Sequence, residues 1–220
     1  LLPEAIISCY DSYDDSQLSH LLDWADVVCI GCGLGMGQIS EKILKNVLKN
    51  VSCPCVIDAD GLNLLSRNIE LLNQCCAPVI LTPHMKEMSR LTGWSIDTIM
   101  EDRFQALDQI IKQSGPDTKS SIICVLKDSR TVVAQTNRQR FVNLAGNNSM
   151  AKGGSGDVLA GTIAGLLAQH MAPFEATTVG VFLHACGGDE AKKSKGSYSV
   201  LARDLIQGMA DAMKNAKECR

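Results

Sequence analysis

An α/β fold on a mainly parallel sheet is what this sequence predicts, and three observations predict it. Short apolar, β-branched runs recur between residues 5 and 144. The segments separating the earlier runs carry apolar residues at helical spacing. The runs themselves are apolar on both faces, as strands covered by helices on two sides must be.

The elements follow in chain order. Strands are expected at AIIS (5–8), DVVCIG (26–31), PCVID (54–58), PVILT (78–82) and SIICVLK (121–127). TVVAQ (131–135) and RFVNL (140–144) lie close enough together to pair as a hairpin. Helical patterns fall at 39–50, 62–72, 85–93 and 95–113, and from Asp157 onward the pattern is helical only. No internal repeat, low-complexity tract or linker interrupts the chain, so a single domain is expected over residues 1–220.

Composition narrows the function classes. With 45% hydrophobic and 20% charged residues and a net charge of −3, the chain has a globular composition and no basic excess to hold nucleic acid or an anionic membrane surface. It has no run of roughly eighteen or more apolar residues and no leader pattern at its start, so a cytoplasmic protein without a membrane partner is expected. The ten cysteines fit that compartment as reduced thiols, because Cys9, Cys29, Cys53, Cys55 and Cys124 sit in or beside apolar runs. A zinc ribbon from Cys29, Cys32, Cys53 and Cys55 would need a second C-x-x-C, and the second pair is C-P-C. The thiols are therefore expected to be metal-free. A catalytic dithiol would open a helix, whereas Cys29 and Cys32 close a strand.

Ligands of a parallel sheet collect at the carboxyl ends of its strands. Here those ends read GCGLGMG, DAD, TPHMKE and LKDSRT. The strongest chemical signal is AGNNSMAKGGSGDVLAGTIAGLLAQ, 145–169, in which helical spacing begins at GGSGD. Gly153, Gly154 and Gly156 let several backbone N–H groups converge with the dipole of the helix they open, an arrangement suited to a phosphoryl group. Asp157 is open to two readings: a cap or first-turn carboxylate, or a base accepting a hydroxyl proton beside the phosphate cradle. The G-x-x-x-x-G-K-[ST] nucleotide loop does not occur.

GGSGDVLAG resembles the G-[TS]-G-D signature of ribokinase-like enzymes. Together with IGCGLG, VIDADGLNLL, ILTPHMKEMSRLTG, VLKDSRTVVA and MAKGGSGDVLAGTIAGLLAQ, it resembles one branch of them, the ADP/ATP-dependent NAD(P)H-hydrate dehydratases, in the same order from Pro3 to about Leu205. The resemblance implies a ribokinase-like three-layer α/β/α fold. It implies dehydration of the S-epimer of NADHX or NADPHX to NADH or NADPH with ADP or ATP and Mg2+. Asp157 would be the general base, and Gly153, Gly154, Ser155 and Gly156 would hold the phosphoryl group. Lys127, Asp128, Ser129, Arg130 and Thr131 would form the nucleotide segment. Gly33, Gly35 and His84 would contact the hydrated dinucleotide, with His84 equally open to a helix-capping role. Glu87 would orient magnesium through water, with a surface helix glutamate as the plain alternative.

The sequence also departs from the family pattern. Cys32 stands where proline is usual, Asp128 where glycine is usual, Met85 and Lys86 where Pro-Gly is usual, and Ser149 where glycine is usual. Family domains carry roughly fifty or more residues before the match to Pro3 and Glu4, a strand and helices, so an N-terminally short domain is expected. A homotetramer is expected from the family. Two rivals remain open: a ribokinase-like small-molecule kinase of the hydroxymethylpyrimidine or hydroxyethylthiazole type, and a non-catalytic nucleotide-binding remnant.

Overall fold

The computed structural model describes residues 5–9, 12–113, 121–136 and 139–218. Six strands form one sheet in the order β1-β2-β3-β4-β5-β6. β1 (Val28–Ile30), β2 (Cys55–Ile57), β3 (Val79–Leu81) and β4 (Ile122–Leu126) run parallel. β5 (Val132–Gln135) and β6 (Arg140–Val142) add an antiparallel hairpin beside β4, as the close spacing of the last two runs predicts.

The strands are apolar on both faces because helices cover both. Cys55, Ile57, Val79, Leu81, Ile122, Cys124 and Leu126 point into one core. They meet residues of α2 (Gln38–Asn50), α3 (Asp60–Leu65), α4 (Met85–Thr92) and α6 (Arg103–Gln113) there. The alternate residues Val56, Ile80, Ile123, Val125 and Val133 point into a second core built with α7 (Ser155–Ala168) and α8 (Pro173–Lys195). The two-residue period of a strand thus divides each run between two helical layers. The result is the three-layer α/β/α arrangement. α9 (Ala202–Glu218) closes over α8, with Gly208 against the Gly187 carbonyl where a Cβ would be only 2.1 Å from that oxygen.

Three expectations are corrected. The run at 5–8 forms no strand: Ile6 and Ile7 are exposed, and β1 is the edge of the sheet, so this segment has no ladder to supply the partners a strand requires. The pattern at 62–72 divides into α3 and a 3-10 turn at Ile69–Gln74. The pattern at 95–113 divides at Asp102, between α5 (Ile96–Glu101) and α6, because the Asp102 carboxylate accepts the Gln105 N–H at 2.9 Å and competes with helix continuation. α1 (Asp15–Trp24) was not expected; Asp14 caps it, accepting from the N–H groups of Ser16 and Gln17. Among the described residues, no helix is long and apolar enough to cross a membrane.

Candidate active site

The carboxyl ends of β1 to β4 bring four polar loops to one edge of the sheet. The loop after β1 begins at Gly31, with φ +120° and an ideal Cβ position only 1.9 Å from the Asp58 carbonyl oxygen. No side chain fits there, so glycine lets the β1 and β2 loops touch. Further on, the Gly35 N–H donates to the Asp60 carboxylate at 2.8 Å and the Ser40 hydroxyl donates to the Leu34 carbonyl at 2.8 Å. Gly33 and Gly35 are consequently held in a set conformation, and a Cβ at Gly33 would meet nothing within 4 Å. This backbone is open to a ligand.

α7 starts where the sequence places it. Gly154 is the N-cap, in the left-handed region at φ +86°, and no side chain caps the helix. Asp157 is therefore not the N-cap; it is a first-turn acid, exposed to solvent. One residue earlier, Gly156 lies between two groups of the neighbouring loops, since a Cβ there would be 3.3 Å from both Asp58 Oδ2 and Lys127 Nζ. Lys127 Nζ donates to Asp58 Oδ1 at 2.7 Å, and Asp58 is buried at 1% exposure. The helix start, a lysine and two carboxylates thus share one corner.

An open cavity of about 770 Å³ extends from this corner, within the roughly 300–1,000 Å³ range of small-molecule sites. Of the residues singled out in the sequence, His84, Lys127, Asp128, Ser129, Arg130, Thr131, Ser155 and Gly156 line it. Gly33, Gly35, Asp157, Gly153, Gly154 and Glu87 do not; the first three flank it on the β1 side and the next two form the turn into α7. Asp128, which adds a negative charge to the nucleotide segment, is neutralised by Arg103 at 2.7 Å.

His84 and Glu87 form a capping box on α4. His84 Nδ1 accepts from the N–H groups of Lys86 and Glu87, while Glu87 Oε2 accepts the His84 N–H at 2.8 Å. The capping reading of His84 is thus present, and because Nδ1 is the acceptor, the neutral ring carries its proton on Nε2. Its half-exposed ring still faces the cavity. Burial raises the Glu87 carboxyl above its usual range, against the stabilising His84 N–H and the nearby Lys127.

Several site residues escaped the sequence reading. Asp58 and Asp60 belong to DAD, a polar strand end from which neither was singled out. Asp189 holds the loop at 146–147, accepting from Gly146 N–H at 3.0 Å and Asn147 Nδ2 at 2.7 Å; its only sequence signal is an acid inside a long helix. His184 from α8 places Nε2 at 3.4 Å from Ser155 Oγ.

Burial pushes the His184 ring down to about 4, and that has a consequence for stability. Below the ordinary histidine value near 6.5 the unfolded chain takes up a proton that the folded chain refuses until about pH 4. Stability is therefore lost as pH falls across that window, by about 3 kcal/mol from this group. Denaturant unfolding at a series of pH values should show the slope between pH 6.5 and 4 diminished in His184→Gln; an unchanged slope would contradict this assignment.

The other side of Gly156 carries the thiols. The Cys32 thiol sulfur lies within 4.8 Å of a carboxylate oxygen of both Asp58 and Asp157. Both cysteines, Cys29 and Cys32, keep exposed surface, yet partial desolvation of the sulfur, reinforced by the carboxylates, pushes Cys29 up to about 11 and Cys32 up to about 12. Cys53 is half-buried and Cys55 fully buried. Among the described residues, the four thiols form no metal-ligand group together.

A parallel sheet covered on both faces, with its strand ends gathered around a glycine-started helix and a following acid, defines a ribokinase-like α/β protein. Comparison with known proteins specifies the branch. The family described as NAD(P)H-hydrate dehydratase matches residues 1–210, and the chain belongs to that family. It is 38% identical over 216 residues to the ADP-dependent (S)-NAD(P)H-hydrate dehydratase of Neisseria meningitidis, covering 97% of this chain and 69% of the relative. It is 37% identical over 204 residues to the bifunctional NAD(P)H-hydrate repair enzyme of Moorella thermoacetica, covering 93% of this chain and 37% of the relative. The chain thus spans well under half of that bifunctional relative. Among solved structures, the ADP/ATP-dependent NAD(P)H-hydrate dehydratase of Bacillus subtilis, co-crystallised with ATP and Mg2+, superposes with a TM-score of 0.74 at 29% identity. The match covers 86% of this chain and 64% of that one.

Proposed function

We propose that the chain dehydrates the S-epimer of NADHX or NADPHX to NADH or NADPH, using ADP or ATP. The observation that carries this reading is the meeting of Asp157, the Lys127–Asp58 pair and the glycine-opened start of α7 between two openings. One is the 770 Å³ cavity beside Lys127–Thr131. The other is the backbone face of Gly33 and Gly35. A nucleotide in the first and a hydrated dinucleotide over the second would present a phosphoryl group and a hydroxyl to the same corner.

Hydroxide at C6 of the reduced nicotinamide is a poor leaving group, and a phosphate ester at that carbon is a good one. Asp157 takes the proton of the C6 hydroxyl as the hydroxyl oxygen bonds to the terminal phosphorus of the nucleotide and the phosphoanhydride bond breaks, its electron pair leaving on AMP or ADP. The backbone N–H groups of Gly153–Gly156 and the Lys127 ammonium hold the charge spread over the phosphoryl oxygens. Loss of the ester then takes the C6–O bonding pair out with phosphate while C5 gives its proton to water, the C5–H bonding pair forming the ring double bond. His84 offers its Nε2–H to the dinucleotide. Arg103 keeps Asp128 from repelling the nucleotide phosphates. Magnesium would come with the nucleotide phosphates, Glu87 would orient it through water, and the ion would neutralise phosphate charge.

Incubating the protein with NADHX or NADPHX, Mg2+ and ADP or ATP tests the reading. Recovery of absorbance at the reduced-nicotinamide band, dependent on nucleotide, is the expected result. Phosphorylation of a hydroxymethylpyrimidine or hydroxyethylthiazole alcohol without that recovery would replace it with the kinase reading. Nucleotide binding without turnover of any of these substrates would replace it with the non-catalytic one.

A further inference from the structure

We infer that Cys32, Asp58 and Asp157 form a site for a thiophilic divalent cation such as Zn2+ or Cd2+, and that a cation held there takes Asp157 out of action. The inhibitory half of this inference rests on the function proposed above; the binding half does not.

One ligand atom from each residue, the Cys32 thiol sulfur and one oxygen of each carboxylate, lies within 4.8 Å of the other two. Neighbouring ligands of a tetrahedral zinc ion stand about 3.5 Å apart, given bonds of about 2.0–2.3 Å. The three atoms therefore need to close by at most about 1.3 Å, within the reach of side-chain rotation for Cys32 and Asp157, both exposed. Asp58 is the fixed member: it is buried, Lys127 occupies its Oδ1, and its Oδ2 turns toward Gly156 and the cluster. The three ligands come from three loops: the Gly31 contact and the strand pairing hold those after β1 and β2 together, and Gly156 places the start of α7 against Asp58.

Charge decides which cation fits. With the thiol protonated, two carboxylates face one ammonium, and Lys127 discourages a weakly held ion. A metal that displaces the Cys32 proton changes the sum: a thiolate and two carboxylates balance Lys127 plus one divalent cation with no formal charge left over. Only a metal with high sulfur affinity can drive that displacement, which separates zinc and cadmium from magnesium. This replaces the expectation that all the thiols are metal-free and assigns the metal to a set that no C-x-x-C ribbon pattern describes.

Cadmium titration of the chain, reduced and stripped with chelator, reads the site directly through the sulfur-to-cadmium charge-transfer band in the ultraviolet. The wild type should show one tight equivalent that excess Mg2+ does not displace. Cys32→Ser should lose it, Asp157→Asn should weaken it at least tenfold, and Cys76→Ser, which alters an exposed thiol elsewhere, should keep it. Circular dichroism on each variant establishes that the fold is intact. Equal binding by Cys32→Ser, or equal affinity in Asp157→Asn, would overturn the site. Zn2+ should then inhibit wild-type turnover with the same dissociation constant; full turnover with the site occupied would overturn the inhibitory role. A chain without dehydratase activity leaves the cadmium result standing, so the two readings fail separately.

Discussion

Asp157→Asn is expected to lower turnover by about a hundredfold or more while leaving the fold in place. The substitution keeps the size and polarity of the side chain and removes the basic oxygen that would take the hydroxyl proton. Because Gly154, and not Asp157, caps α7, no cap is lost with it. What is lost is a first-turn negative charge at the helix start, worth about 0.3–1 kcal/mol, and relief of repulsion from the nearby Asp58 carboxylate offsets part of that. The melting temperature should therefore stay close to the wild-type value. Nucleotide should still bind, since the cavity proposed for it is lined by other residues. Turnover, nucleotide affinity and melting temperature measured on one preparation separate the possibilities. Near-normal turnover would remove Asp157 from the mechanism, and a collapse in melting temperature would make it a structural residue.

The placement of Asp157 was legible because helical spacing has a definite start, and GGSGD sits at it. Four of the five strands expected before the hairpin were legible for a related reason: Val56, Ile80 and Ile123 face one helical layer while their neighbours face the other, so the runs are apolar throughout. The same signal misled at 5–8, where Ile6 and Ile7 are β-formers with no ladder to join. A strand is made by its partner, and a run cannot report whether one is present.

The site was legible in its loops and illegible in its pairs. Lys127 and Asp128 were visible within a motif, but their partners Asp58 and Arg103 lie 69 and 25 residues away along the chain. Nothing periodic connects such positions; only the closing of the sheet brings them together. Asp128 shows the cost. Read alone, it places an unbalanced charge in the nucleotide segment, and in the fold it is half of an ion pair. Cys32 is similar: its neighbour in sequence, Cys29, suggested a dithiol or a ribbon, whereas its telling neighbours in space are carboxylates from two other loops.

Lys127→Met is expected to produce the largest loss of stability among substitutions in this corner, about 3–5 kcal/mol. The two side chains of the Lys127–Asp58 pair are 19% and 2% exposed, so the charges have little water to fall back on. Removing the lysine leaves the Asp58 carboxylate buried without its partner at 2.7 Å. The opposite change, Asp58→Asn, should cost less, because the freed ammonium sits on a flexible stem at the cavity wall and can turn toward solvent. The double variant should be more stable than the sum of the two single losses predicts, since it contains neither orphaned charge. Denaturant unfolding of all three variants provides the cycle. In turnover the order should differ: Lys127→Met and the double variant both lack the cation proposed to face the phosphoryl group, so the double variant should recover stability without recovering rate. Equal losses from the two single substitutions would show that Asp58 is not the fixed, water-poor partner the geometry describes. Recovery of turnover in the double variant would show that Lys127 serves the fold alone.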